Sequence, residues 1–208
     1  MTDLDDYIEQ HSSLPEGVMY ELYRHTHLTT VNPHMMSSRV QGKFLEMLCR
    51  MIRPENALEI GAFTGYSTMS IATGLPEKSK LYSIEVSDEN ESTIRHYLAK
   101  GNLADKVELL IGDAKQIIPQ LDIRFDFVFI DADKRNNQLY YDLIFDKVSD
   151  NGYMLIDNTL WSGKVVNPSA GDIDTRCIKE FNDRIQSDDR VENIILPLRD
   201  GLTLVRKK

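Results

Sequence analysis

The residues with the clearest chemical potential are acids placed where apolar runs end. Phe127-Val-Phe-Ile130 passes directly into Asp131-Ala-Asp133-Lys134, and Tyr153-Met-Leu-Ile156 passes into Asp157-Asn158. If these runs are neighbouring strands, Asp131, Asp157 and Asn158 converge on one side of a cleft and offer oxygen ligands with no sulfur or imidazole. Such a set suits a hard cation (Mg²⁺, Mn²⁺ or Ca²⁺) rather than zinc. Two acids at the ends of buried strands repel one another, and a cation relieves the repulsion. The competing use is structural, since Asp and Asn are favoured helix caps. A full ligand set beside Lys134 favours the cation.

Three earlier runs end in a comparable way. Leu58-Glu-Ile-Gly61 leads to Gly65-Tyr-Ser67, and the two glycines permit a tight turn and close approach of a ligand to the backbone. The spacing is G-x-x-x-G rather than the dinucleotide pattern, and a tight turn alone would also account for it. Ser83-Ile-Glu85 places an acid where it can accept hydrogen bonds from both ribose hydroxyls, or simply face water. Gly112-Asp113-Ala114 offers a carboxylate or backbone groups to an adenine edge. Together these ends suggest an adenosine-type ligand without a pyrophosphate cradle. Other features are weaker. His25 and His27 fall on different helix faces with no acid or cysteine partner. Met35-Met36 suits a ligand wall or a core gap, and Trp161 suits a pocket wall or plain packing.

The elements that must position these residues follow from the pattern. Residues up to about 53 carry helix-period apolar positions, as in Phe44, Leu45, Leu48, Met51 and Ile52, and Pro54 ends that helix. Beyond it, β-rich runs at Ala57–Gly61, Leu81–Val86, Val107–Ile111, Phe125–Asp131 and Tyr153–Asp157 alternate with helical stretches near 66–74, 88–100, 115–121, 136–149 and 173–187. Near-continuously apolar runs suit parallel strands buried on both faces. Alternation of this kind predicts an α/β fold with right-handed crossovers, a doubly wound Rossmann-like sheet of seven strands. The last two runs, Val191–Leu196 and Leu202–Val205, are joined through Arg199-Asp200-Gly201 and predict an antiparallel hairpin at the sheet edge. The whole reads as one domain over 1–208, with a helical preface at 1–53 and an α/β core at 54–208.

Composition narrows the function. The chain has 208 residues, 24 basic and 33 acidic side chains and a net charge of −9, and its basic residues are scattered. That argues against a nucleic-acid partner, which needs a clustered basic face. No apolar stretch approaches a membrane span, the acidic start is unlike a signal peptide, and Cys49 and Cys177 are too few for a disulfide framework. The expected compartment is the cytoplasm.

Three motifs carry a resemblance. Ala57-Leu-Glu-Ile-Gly-Ala-Phe-Thr-Gly-Tyr-Ser67, Phe129-Ile-Asp-Ala-Asp-Lys134 and Ile156-Asp-Asn-Thr-Leu-Trp-Ser-Gly163 resemble those of the cation-dependent O-methyltransferases. That group includes the plant caffeoyl-CoA O-methyltransferases, with animal catechol O-methyltransferase a more distant relative. The likeness runs from about residue 33 to Leu196-Pro-Leu-Arg-Asp-Gly-Leu-Thr203. It implies S-adenosylmethionine as cofactor, a divalent cation on Asp131, Asp157 and Asn158, and methyl transfer to a hydroxyl of a small vicinal diphenol of catechol or hydroxycinnamate type. It places Glu59, Gly61 and Ser67 near the methionine portion, Glu85 at the ribose, and Ala114, just after Asp113, at the adenine. Met35 and Ser37 would line the cofactor, Asp133 would sit near the sulfonium, and Lys134 would be the general base.

A nicotinamide-dependent oxidoreductase would also use Glu85, but it lacks the dinucleotide glycines and leaves the acids unexplained. An RNA methyltransferase on the same fold conflicts with the charge and the hard-cation set, and a binding module without activity predicts decayed ligand positions. Acceptor contacts are expected from the preface, from Trp161–Asp174 and from the hairpin, with the short loop Asn167-Pro-Ser-Ala-Gly171 leaving an open pocket. The resemblance also implies a homodimer.

Overall fold

The computed structural model describes residues 3–167, 169 and 171–208, so the expected loop at 167–171 lies partly outside the described residues. Its strands are β1 (Asn56–Ile60), β2 (Lys80–Glu85), β3 (Val107–Ile111), β4 (Phe125–Ile130), β5 (Val148–Asp157), β6 (Val191–Leu196) and β7 (Leu202–Lys207). Among the described residues they form one seven-stranded sheet in the order β3-β2-β1-β4-β5-β7-β6. β1 to β5 run parallel, and the closing hairpin inserts β7 antiparallel to β5, with β6 at the edge.

Alternate residues of each strand feed two cores. Ala57, Phe127, Phe129 and Leu155 face one layer, and Leu58, Ile60, Val128, Ile130 and Ile156 face the other. The first layer comprises α2 (Val18–Thr29), α3 (Arg39–Ile52), α4 (Tyr66–Gly74) and α5 (Glu91–Lys100), which contribute Leu22, Leu45, Met69 and Leu98. The second comprises α6 (Ala114–Ile117), α7 (Asn137–Phe145) and α8 (Ile173–Ser187), which contribute Ala114, Tyr141, Ile144 and Phe181. A short α1 (Asp3–Gln10) precedes them. The strand order reverses between β1 and β4, which opens a crevice at their carboxyl ends.

The boundaries differ most from the sequence expectation at two places. The helix expected over 136–149 ends at Phe145, because Val148 already pairs with Phe125 and starts β5. The polar stretch Ser149-Asp-Asn-Gly152 is then absorbed by a register shift between Phe125 and Phe127. The helix expected at 115–121 stops at Ile117 and continues as a 3₁₀ turn over Ile118–Gln120, where Pro119 has no N–H to donate. His25 and His27 do not meet: His25 lies against the Tyr97 ring, and the His27 ring contacts the Tyr23 carbonyl. Cys49 is buried and Cys177 half-buried, both free. Among the described residues no helix is long and apolar enough to cross a membrane.

Candidate active site

A cavity of about 730 Å³ occupies the crevice. The segment after β1 forms its glycine-rich wall. Gly61 N–H donates to the Ile84 carbonyl (2.9 Å) and Asp131 N–H to the Ile60 carbonyl (2.9 Å), which ties β1 to both neighbours as they end. Gly61 has φ +98°, and a Cβ there would stand 2.3 Å from the Asp131 carbonyl oxygen, so only glycine fits. Thr26 Oγ1 on α2 donates to Thr64 Oγ1 at 2.9 Å, holding the helical preface against the same loop.

Glu85, at the end of β2, is buried yet well supplied with donors. It accepts from Phe63 N–H at 2.6 Å, Ser87 N–H at 2.9 Å and the Asn90 side chain at 3.4 Å. Asp113 caps α6 by accepting from Lys115 N–H at 2.9 Å, so the capping use applies here while the residue still lines the cavity beside Ala114. Met35 is exposed and Ser37 buried, and both line the opposite wall.

The far end is acidic. Asp131 follows β4 and Asp157 ends β5, with Asn158 next in left-handed backbone (φ +61°). Lys134 Nζ pairs with Asp131 Oδ1 at 2.8 Å. Asp157 accepts from Gln41 Nε2 at 2.7 Å and from Asn158 N–H at 2.6 Å. Burial, then the neighbouring Asp131 charge, nevertheless pushes its carboxyl up to about 7. Among the described residues no group of three His, Cys, Asp or Glu side chains could hold a metal. The donor set here is two carboxylates and an amide oxygen, and a hard cation fits it by relieving the repulsion that raises Asp157. Asp133 accepts from Tyr140 Oη at 2.6 Å and from Asn136. Trp161, at φ +49°, lines the cavity.

Every residue expected at the site lines this cavity except Glu59. Glu59 points to the other face of β1 and is fully buried beneath the loop, accepting from Thr68 Oγ1 (2.5 Å) and Ser83 Oγ (2.6 Å). Burial raises its carboxyl above the ordinary range. Sequence reasoning missed Tyr66, Tyr140 and Arg199, which also line the cavity, and the buried Gln41 behind Asp157. The hydroxyls of Ser37 and Tyr66 and the indole N–H of Trp161 are buried with no partner. All three belong to cavity-lining residues, which fits a polar ligand.

A doubly wound sheet with its polar cavity at the strand-order reversal defines the doubly wound α/β class, whose ligands bind at that reversal. Comparison with known proteins narrows it. The family model described as O-methyltransferase matches residues 9–208. Caffeoyl-CoA O-methyltransferase 1 of Eucalyptus globulus is 35% identical over 184 residues, covering 83% of this chain and 75% of the relative. The Bacillus cereus O-methyltransferase solved with SAH superposes with a TM-score of 0.92 at 28% identity, over 100% of this chain and 98% of that one. TomG of Streptomyces achromogenes, solved with SAM, gives 0.89 at 26% identity over 100% of each chain. The chain belongs to the O-methyltransferase family and has its Rossmann-like fold.

Proposed function

We propose that this enzyme moves a methyl group from S-adenosylmethionine to one hydroxyl of a small vicinal diphenol, with a divalent cation at Asp131, Asp157 and Asn158. The observation that carries the reading is the acidic end of the cavity, where two carboxylates and an amide follow adjacent strands beside Lys134. The rest of the cavity suits the cofactor, with Glu85 for a ribose, the Gly61 loop for close approach, and Ser37 and Tyr66 as unpaired polar groups. Solved relatives carry SAM or SAH, and a relative's name carries a caffeoyl group, itself a vicinal diphenol.

The cofactor supplies an electrophilic methyl on sulfur, and a cation when bound lowers the pKa of a coordinated hydroxyl. The protein's share is positioning and proton transfer. Lys134, a neighbour of both acids, takes the hydroxyl proton as general base in its neutral form, after the ammonium that pairs with Asp131 has given its own proton to solvent. Asp131 and Asp157 hold the acceptor end, and the Gly61 loop and Glu85 hold the nucleoside end, so the reacting groups meet in one orientation. Trp161 walls the acceptor side.

The test is release of S-adenosylhomocysteine from S-adenosylmethionine and caffeic acid, with Mg²⁺ and again with EDTA. The expected result is turnover that EDTA abolishes and Mg²⁺ restores. Turnover indifferent to EDTA overturns the cation, and absence of turnover with every vicinal diphenol overturns the acceptor class.

A further inference from the structure

Arg199 occupies an unusual place. It is a long, non-glycine side chain in left-handed backbone, φ +50°, in the turn between β6 and β7. Such a conformation disfavours any residue with a Cβ and persists where surrounding contacts over-determine it. Here the guanidinium supplies them. Nη1 donates to the Met36 carbonyl at 3.0 Å and to Gln41 Oε1 at 3.1 Å, and Nη2 donates to the His34 carbonyl at 3.2 Å.

Gln41 is fully buried and engaged at both ends of its amide, since Nε2 donates to Asp157 Oδ2 at 2.7 Å. A primary amide can flip, and the flipped form would set its oxygen against the Asp157 carboxylate. By donating to Oε1, Arg199 fixes the orientation that gives Asp157 a donor. The same side chain anchors the segment that carries Met36 and Ser37 into the cavity wall. We propose that Arg199 is a positioning residue that sets the cofactor wall and, through Gln41, the aim of Asp157. The inference rests on the proposed cofactor and cation, and extends them to a residue of the β6–β7 turn that acts through Gln41 and the 34–36 segment.

The experiment compares wild type, Arg199→Gly, Arg199→Lys and Gln41→Ala. Free Mn²⁺ is followed by its EPR signal, and S-adenosylhomocysteine binding by the fluorescence of Trp161, the chain's single tryptophan. Arg199→Gly is expected to bind Mn²⁺ about tenfold more weakly, as supporting partners of metal ligands do when lost. Its S-adenosylhomocysteine affinity should fall several-fold. Its thermal midpoint without ligands should fall only slightly, because glycine takes this backbone without strain and offsets part of the lost hydrogen bonds. Arg199→Lys keeps the charge but has one nitrogen for acceptors on two segments, so it should not rescue either affinity. Gln41→Ala should lose Mn²⁺ affinity and keep S-adenosylhomocysteine affinity.

Wild-type affinities in Arg199→Gly, full rescue by lysine, or a fall in midpoint that accounts for the loss would each overturn the proposal and leave the functional reading standing. A wild-type protein silent to both probes would overturn the functional reading and this inference with it.

Discussion

At the β2 end of the cavity Glu85 is surrounded by backbone and side-chain donors, whereas at the β4–β5 end Asp157 faces a second carboxylate. The first end is assembled without help: Phe63 and Ser87 present their N–H groups to Glu85 because the chain turns there. The second end is short of positive charge. Lys134 balances Asp131, and the carboxyl of Asp157 is held up to about 7 by burial and by Asp131. Substitutions at the first end should therefore act through geometry, and those at the second through charge.

The largest effect expected is at the charged end. Asp157→Ala should lose Mn²⁺ binding and bring EDTA-sensitive turnover down by more than about a hundredfold, beyond what loss of a supporting partner costs. Retained metal-dependent turnover would break the comparison at its root. Lys134→Ala should lower kcat by about 10²- to 10⁴-fold, the usual worth of a general base. Its S-adenosylhomocysteine affinity should stay unchanged in a calorimetric titration, and a matching loss of that affinity would mean that the two ends are not separable.

Gly61→Ala tests the geometric end, because its Cβ would drive β1 away from the Asp131 carbonyl. A cost of about 1–3 kcal/mol is expected in urea denaturation, with weaker S-adenosylhomocysteine binding. The smallest effect is at Glu59, beneath the loop. Burial raises its carboxyl in the folded state, so the stability it contributes is full below the unfolded pKa and is lost as pH rises through the folded value. Glutamine has no such dependence. Glu59→Gln should gain thermal stability relative to wild type as pH rises above about 4, and a pH-independent difference would contradict the burial argument.

The fold was legible where periodicity and burial agree. Phe127–Ile130 and Met154–Ile156 are apolar on both faces because helices cover both, and strand identity follows from that alone. The start of β5 was hidden, since Ser149–Gly152 is polar and enters the strand through a register shift. At the site, the acids were readable because each directly follows an apolar run. The motif that Glu59 shares with Gly61 places it near the cofactor, but its carboxylate is turned away from cavity-lining Ile60 and is taken up by the Thr68 and Ser83 hydroxyls. Gln41 and Arg199 had no local signal. Their partners lie across the fold, Asp157 for one and the 34–36 segment for the other, and only tertiary structure joins them.

The placement of β7 has a consequence for the order in which the molecule comes together. β1 has both its neighbours, β2 and β4, once the chain has reached Ile130. β5, which carries Asp157, has only β4 beside it until Leu202–Lys207 pairs along its other edge. A growing chain can therefore assemble the β1–β2 side of the crevice early and locally, while the acidic side waits on a long-range pairing made later. Until then the strand that carries Asp157 presents an open edge, and the stretch from the end of β5 through α8 and β6 is the part of synthesis during which a nascent chain is most exposed to mispairing.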